Sequence, residues 1–108
     1  MLKKQNRLKD FKLASFRQIK SSSFSLKVGK NTKELNRFAF VVTKRIDKRA
    51  AMRNRLKRVV RSCIEEIFDK IEKGQDFIIY PKKEAAQATR AQILEEMKNL
   101  FIKQKLLK

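Results

Sequence analysis

The sequence predicts an α+β fold, a two-layer α/β sandwich in the order α-β-β-α-β-α, and three patterns carry that reading. Apolar residues alternate with polar ones from Phe24 to Val28, run unbroken from Phe38 to Val42, and recur at three- and four-residue steps from Met52 to Ile71. With 108 residues and 42% hydrophobic composition, the chain supports one core, hence a single domain over residues 1–108.

Leu8, Phe11, Leu13, Ala14, Phe16 and Ile19, mixed with Lys9, Lys12 and Arg17, predict a short and loosely amphipathic N-terminal helix. Ser21-Ser22-Ser23 breaks it. Phe24, Leu26 and Val28 then alternate with Ser25 and Lys27 up to Gly29, as in a half-buried strand, and Lys30 to Leu35 form the turn. Phe38-Ala39-Phe40-Val41-Val42 is rich in aromatic and β-branched residues and reads as a central strand buried on both faces. From about Ala50 to Glu72, the positions Met52, Leu56, Val59, Val60, Cys63, Ile67 and Ile71 mark one face of a long helix, with Gly74 as its stop. Asp76 to Tyr80 is a second buried strand, closed by Pro81, which cannot extend a central ladder. Thr89-Arg90-Ala91-Gln92 has the form of a capping box, and Ile93, Met97, Leu100 and Phe101 are the core face of a final helix. Two strands separated by so long a helix imply a parallel crossover.

Charge narrows the function. Lys and Arg number 29 against 11 Asp and Glu, a formal net charge of +18. Such an excess repels itself unless a polyanion neutralises it, so a nucleic-acid partner is expected. No run approaches the ~18 apolar residues of a membrane span. The basic start, Met1 to Arg7, is followed by no apolar h-region, so a secretory signal is not expected. A single cysteine, Cys63, excludes an internal disulfide framework and suits a reducing, cytoplasmic location.

Between Thr43 and Arg61 lie nine basic residues with Asp47 as the only acid. On the long helix Asn54, Lys57, Arg58 and Arg61 follow i, i+3, i+4, i+7 spacing and share a face opposite the Leu56, Cys63 and Ile67 stripe, with Arg55 at its edge. Glu65, Glu66, Asp69 and Glu72 occupy the other end of the helix. That polarity opposes the helix dipole at about 0.3 to 1 kcal/mol per misplaced charge at low salt. Helix stability therefore does not explain it, whereas an anionic ligand at the first turns does.

Thr43-Lys44-Arg45, then Arg53-Asn54-Arg55-Leu56-Lys57-Arg58 and Arg61, following a Phe40-Val41-Val42 strand, resemble the signature of the protein subunit of bacterial ribonuclease P. Gly74, Asp76, Phe77, Ile78 and Ile79 resemble that family's last strand. The likeness is clearest from Arg37 onward. Before that, Phe11 and Phe16 stand five apart where the family commonly has a spacing of about four. The resemblance implies a left-handed βαβ crossover, against the general rule. It implies partners too, namely a catalytic ribonuclease P RNA and precursor tRNA, with no membrane and no small-molecule substrate. Cleavage of the 5′ leader would belong to the RNA, and Mg²⁺ to the RNA active site. The implied RNA-binding set is Lys44, Arg45, Lys48, Arg53, Asn54, Arg55, Lys57, Arg58 and Arg61, and the implied leader-cleft residues are Phe11, Phe16 and Phe40.

The residues themselves agree with a chain that has no catalytic group. Without histidine there is no His-based acid/base pair or serine triad, and one cysteine without histidine builds no standard zinc site. The neighbouring pairs Glu65-Glu66 and Glu95-Glu96 point about 100° apart on their helices and read as solvated charge. Cys63 lies on the apolar stripe and reads as a buried thiol. Phenylalanines interleaved with Lys12, Arg17, Lys27 and Arg37 could stack unpaired bases beside phosphate contacts, although most must fill the core. A basic ribosomal protein or general RNA chaperone is the alternative. A helix-turn-helix DNA binder fits less well, because a buried strand leads into the basic helix.

Overall fold

The computed structural model describes residues 2–9 and 15–108. Its elements are β1 (Arg17–Lys20), β2 (Phe24–Lys30), β3 (Arg37–Phe40), α1 (Ala50–Ile67), β4 (Gln75–Pro81), α2 (Lys83–Gln87) and α3 (Arg90–Lys103), with 3₁₀ turns at Lys4–Asn6 and Phe68–Lys70. The sheet order is β1-β2-β4-β3. β1 and β4 both run antiparallel to β2, and β3 runs parallel to β4. The α+β class and the parallel crossover through α1 are as the sequence predicts.

Four details differ. A helix through Ile19 is not formed, because Arg17–Lys20 is a strand that pairs with β2 across the serine turn, Ile19 opposite Leu26. Its buried Ile19 between exposed Gln18 and Lys20 follows the strand period, and ladder pairing overrides the weak helical pattern. Residues 10–14 of that expected helix lie outside the described residues. The Phe38 strand is not central; β4 is, and the outer edge of β3 is met by the N-terminal segment, where the Leu8 amide donates to the Phe38 carbonyl at 2.8 Å. α1 stops at Ile67 and passes into the 3₁₀ turn before Glu72, and Gly74 (φ +85°) serves the turn into β4. Finally, α2 is an element the sequence did not announce.

Helices cover one face of the sheet. Alternation sends Phe24, Leu26, Val28, Phe38, Phe77 and Ile79 into a core completed by Leu56, Val60, Cys63 and Ile64 from α1 and by Ile93, Met97 and Phe101 from α3. Phe38 stacks on Phe77 with centroids 4.9 Å apart, and Phe77 on Phe101 at 5.6 Å. Each such side chain contributes about 1.5–3 kcal/mol by burial, and each stack about 0.5–1.5 kcal/mol more. The capping box forms as written: the Gln92 amide donates to Thr89 Oγ1 at 3.2 Å, and the Thr89 amide to Gln92 Oε1 at 2.9 Å. On the other face Ala39 and Ile78 pack with Leu8, flanked by Val41 and Tyr80.

One buried carboxylate ties the strands together at the start of β4. Arg37 donates to both oxygens of Asp76, at 2.7 and 2.6 Å, and Asn31 Nδ2 adds a third bond at 2.9 Å. Burial alone raises the Asp76 pKa, but the hydrogen bonds from Arg37 and Asn31 more than offset it, holding the carboxyl below its ordinary value.

Candidate nucleic-acid interface

The basic segment begins in the loop that leads from β3 into α1. The Ile46 amide donates to the Thr43 carbonyl at 3.0 Å, and the Ile46 side chain packs on the core, so the turn is anchored while Lys44, Arg45 and Lys48 stay exposed. Asp47 organises the helix entry. Its Oδ1 accepts from the Arg49 amide at 2.9 Å, and its carboxylate holds the Arg49 guanidinium at 3.1 and 3.0 Å. The side-chain bond from Arg49, then the backbone bond, lower the Asp47 pKa to about 2. Arg49 takes the N-cap position without a capping side chain, and the first turn of α1 carries no acid, leaving the positive end of the helix dipole uncompensated.

Along α1 the predicted residues divide into two groups. Arg53 turns back toward the loop, where its Nη1 donates to the carbonyls of Asp47 and Lys48 at 3.0 and 2.9 Å. Arg61 is half-buried, 3.6 Å from Glu65 and within 3.3 Å of the Leu2 carbonyl. Those two guanidinium groups brace the fold. By contrast Asn54, Arg55 and Arg58 are exposed and Lys57 partly so, and among the described residues none of the three cations makes a hydrogen bond or ion pair. Opposite them Leu56, Val60, Cys63, Ile64 and Ile67 are buried, so the core fixes which way the cations face. The 18-residue helix carries this display along a rod of about 27 Å.

The sheet face turned away from the helices offers a second surface beside the patch that Leu8 covers. Phe16 is 47% exposed, and Lys27 Nζ lies 5.0 Å from its ring centroid and 5.7 Å from that of Tyr80. Gln18 and Lys20 of β1 and Ser25 of β2 complete the polar part of this face. Phe40 does not join Phe16. It is two residues from the core residue Phe38, stacks near it at 6.5 Å, and is half-buried on the helix-covered side. Phe11 lies outside the described residues. Tyr80 escaped the sequence reading, and Lys27 entered it only among the cations interleaved with phenylalanines, although strand parity held the signal: Lys27 alternates with buried Leu26 and Val28, and Tyr80 with buried Ile79.

None of the carboxylates with described partners is placed for proton transfer. Glu66 pairs with Arg90 at 3.1 Å and Lys98 at 3.9 Å, and Glu95 is exposed. Glu96 accepts from Ser21 Oγ at 2.6 Å and the Ser23 amide at 2.8 Å, which outweighs the upward push of burial and lowers its pKa. Its role is to cap the β1–β2 turn. Burial raises the pKa of the Cys63 thiol, so it stays protonated in the core. Among the described residues no three His, Cys, Asp or Glu side chains group to hold a metal ion, and no helix is long and apolar enough to cross a membrane.

Comparison with known proteins agrees with this geometry. The family model described as ribonuclease P matches residues 2–105. The ribonuclease P protein component of Bacillus mycoides is 32% identical over 106 residues, covering 93% of this chain and 91% of that protein. The Bacillus cereus component is 37% identical over 65 residues, 60% of this chain and 56% of that protein, so this match spans less than two thirds of its length. The Microcystis aeruginosa component, 33% identical over 72 residues, is likewise matched over 60% of its length. Among solved structures, the RNase P protein from Thermotoga maritima superposes with a TM-score of 0.73 at 26% identity, over 79% of this chain and 80% of that one. The Staphylococcus aureus RNase P protein, at 20% identity, shares the fold with a TM-score of 0.76 over 86% of this chain and 84% of that one. A core that turns the Arg53-Asn54-Arg55 helix outward and a family match across nearly the whole length converge: the chain belongs to the ribonuclease P protein family.

Proposed function

We propose that this chain is the protein component of a ribonuclease P ribonucleoprotein, a cytoplasmic particle in which it binds the catalytic RNA subunit and the 5′ leader of precursor tRNA, assisting endonucleolytic release of the leader. The observation that carries this reading is the outer face of α1, where Arg55, Lys57 and Arg58 stand without partners among the described residues beside Asn54, continued by Lys44, Arg45 and Lys48 in the loop. Guanidinium and ammonium groups left free in the folded chain contact backbone phosphates and release condensed counterions, while the Asn54 amide adds hydrogen bonds. Six such contacts would cost about a thousandfold in affinity between about 50 and about 200 mM salt.

The leader fits the sheet face turned away from the helices. Phe16 and Tyr80 flank Lys27, so unpaired bases can stack on rings while the ammonium meets a phosphate, a combination suited to single-stranded RNA of any sequence. Holding two polyanions on one cationic scaffold lessens their repulsion and orients the leader against the RNA subunit. Bond cleavage is then the work of the RNA, with Mg²⁺ held by RNA phosphates.

A general RNA chaperone would share the charge. The two readings separate in a binding titration at fixed salt. The ribonucleoprotein reading predicts one-to-one binding to a bacterial ribonuclease P RNA, tighter than to a structured RNA of equal length. Equal affinity for both RNAs would reject it in favour of the chaperone.

A further inference from the structure

Between the start of α1 and the α2–α3 connection lies a cavity of about 380 Å³, within the range of small-ligand pockets. Its walls are apolar and unfinished: Ile46, Met52, Val59 and Ala88 line it and are only half-buried. Its mouth is cationic. Arg49, Arg53 and Arg90 border it but are committed to Asp47, to loop carbonyls and to Glu66 respectively, whereas Arg55 and Lys83 are exposed and make no ion pair among the described residues. Asp47 also lines the cavity, with its charge tied to Arg49.

We infer that this cavity receives one unpaired nucleotide of the bound RNA, its base against the apolar walls and its phosphate between Arg55 and Lys83. Charge selects this occupant. A second copy of a chain with net charge +18 would bring more positive charge to a positive mouth, whereas an RNA nucleotide brings an anion attached to a flat, weakly hydrated ring. Continuity supports it as well, because Arg55 lies both on the rim and at the edge of the α1 face proposed to meet RNA. The flexible Met52 thioether adapts to a planar ring, and exposed Gln87 on the rim presents amide donors and acceptors to a base edge. The inference deepens the proposed RNA contact of α1 and rests on it for the identity of the partner.

Methyl NMR of the full chain tests it without the RNA subunit, with adenosine monophosphate, ribose 5-phosphate and inorganic phosphate as separate probes. Saturable shifts at the Ile46, Met52, Val59 and Ala88 methyls with the nucleotide, and none with ribose 5-phosphate, are expected. The exposed Ala86 lines the same cavity, and A86F should abolish those shifts while the rest of the spectrum is kept. Equal responses to all three probes would reduce the site to an ionic contact, and no methyl response would leave a hydrated groove; either overturns the inference. Both failures are compatible with tight, salt-dependent binding of ribonuclease P RNA through α1, so the pocket and the proposed function can fall separately.

Discussion

Arg53 and Arg58 stand five residues apart on one helix, yet they should respond oppositely to truncation. Arg53 gives two charge-assisted hydrogen bonds to the carbonyls of Asp47 and Lys48, at 3.0 and 2.9 Å, and these hold the loop that carries Lys44, Arg45 and Lys48. A hydrogen bond with one charged partner contributes about 1.5–3 kcal/mol. Both bonds leave the same Nη1, and both carbonyls can turn to water once the guanidinium is gone, so Arg53→Ala should cost well under the sum of two such bonds, about 1–2 kcal/mol. For a chain of this length the melting temperature should fall by roughly 4–12 °C. Arg58 is exposed and, among the described residues, unpaired, so Arg58→Ala should leave stability within about 0.5 kcal/mol of the parent. In RNA binding the order reverses. Arg58→Ala should reduce the slope of log affinity against log salt by about 0.7–0.9, the share of one phosphate contact, while Arg53→Ala should lower affinity with a smaller change in slope. Urea denaturation and salt-dependent binding of ribonuclease P RNA measure both quantities. If Arg53→Ala melts like the parent and loses slope as Arg58→Ala does, the division into bracing and RNA-facing arginines is wrong.

Other consequences follow from single contacts. The lowered pKa of Asp76 means that the unfolded chain takes up its proton first as pH falls. Its stabilising share is therefore complete above the unfolded value near ~3.9 and is lost as pH drops through the folded value. Asp76→Asn should cost about 2–3 kcal/mol at neutral pH and flatten the acid limb of the stability curve; an unchanged acid limb would remove Asp76 as its source. Lys105 holds φ 57°, a left-handed conformation costly for a side chain. Lys105→Gly should raise stability by about 0.5 kcal/mol, relief of strain exceeding the added freedom of the unfolded chain, and a lower melting temperature would refute it. Lys27→Ala should weaken binding of precursor tRNA to the reconstituted particle by about 0.5–1 kcal/mol and leave mature tRNA unaffected, since only the former carries a leader. Equal loss for both would detach Lys27 from the leader.

Most of the architecture was legible because it is written in periodicity. The two-residue period of Phe24, Leu26 and Val28, the helical stripe through Leu56, Val60 and Cys63, and the Thr89–Gln92 cap are local patterns, and local backbone geometry realises them. Placement within the sheet was not legible. Nothing near Phe38 tells that β4 lies between β2 and β3, or that Leu8 shields the outer face of Ala39, since both depend on residues about thirty or more positions away. The same limit explains β1, whose strand state depends on pairing with Val28 through Ser25 and not on its own propensity. For the basic helix, spacing indicated which side faces outward. It could not reveal that Arg53 is spent on two carbonyls, because a loop's path is set by tertiary packing. Phe40 shows a further limit: an aromatic beside basic residues resembles a base-stacking platform until strand parity with Phe38 assigns it to the core side.

The decisive measurement is single-turnover release of the 5′ leader from precursor tRNA by a bacterial ribonuclease P RNA at low Mg²⁺, with one equivalent of this protein. Wild type should accelerate release, and a variant with Arg55, Lys57 and Arg58 all changed to alanine should lose most of that acceleration while melting normally. Leader release by the protein without RNA, or equal acceleration by wild type and the triple variant, would contradict an RNA-holding role for the outer face of α1.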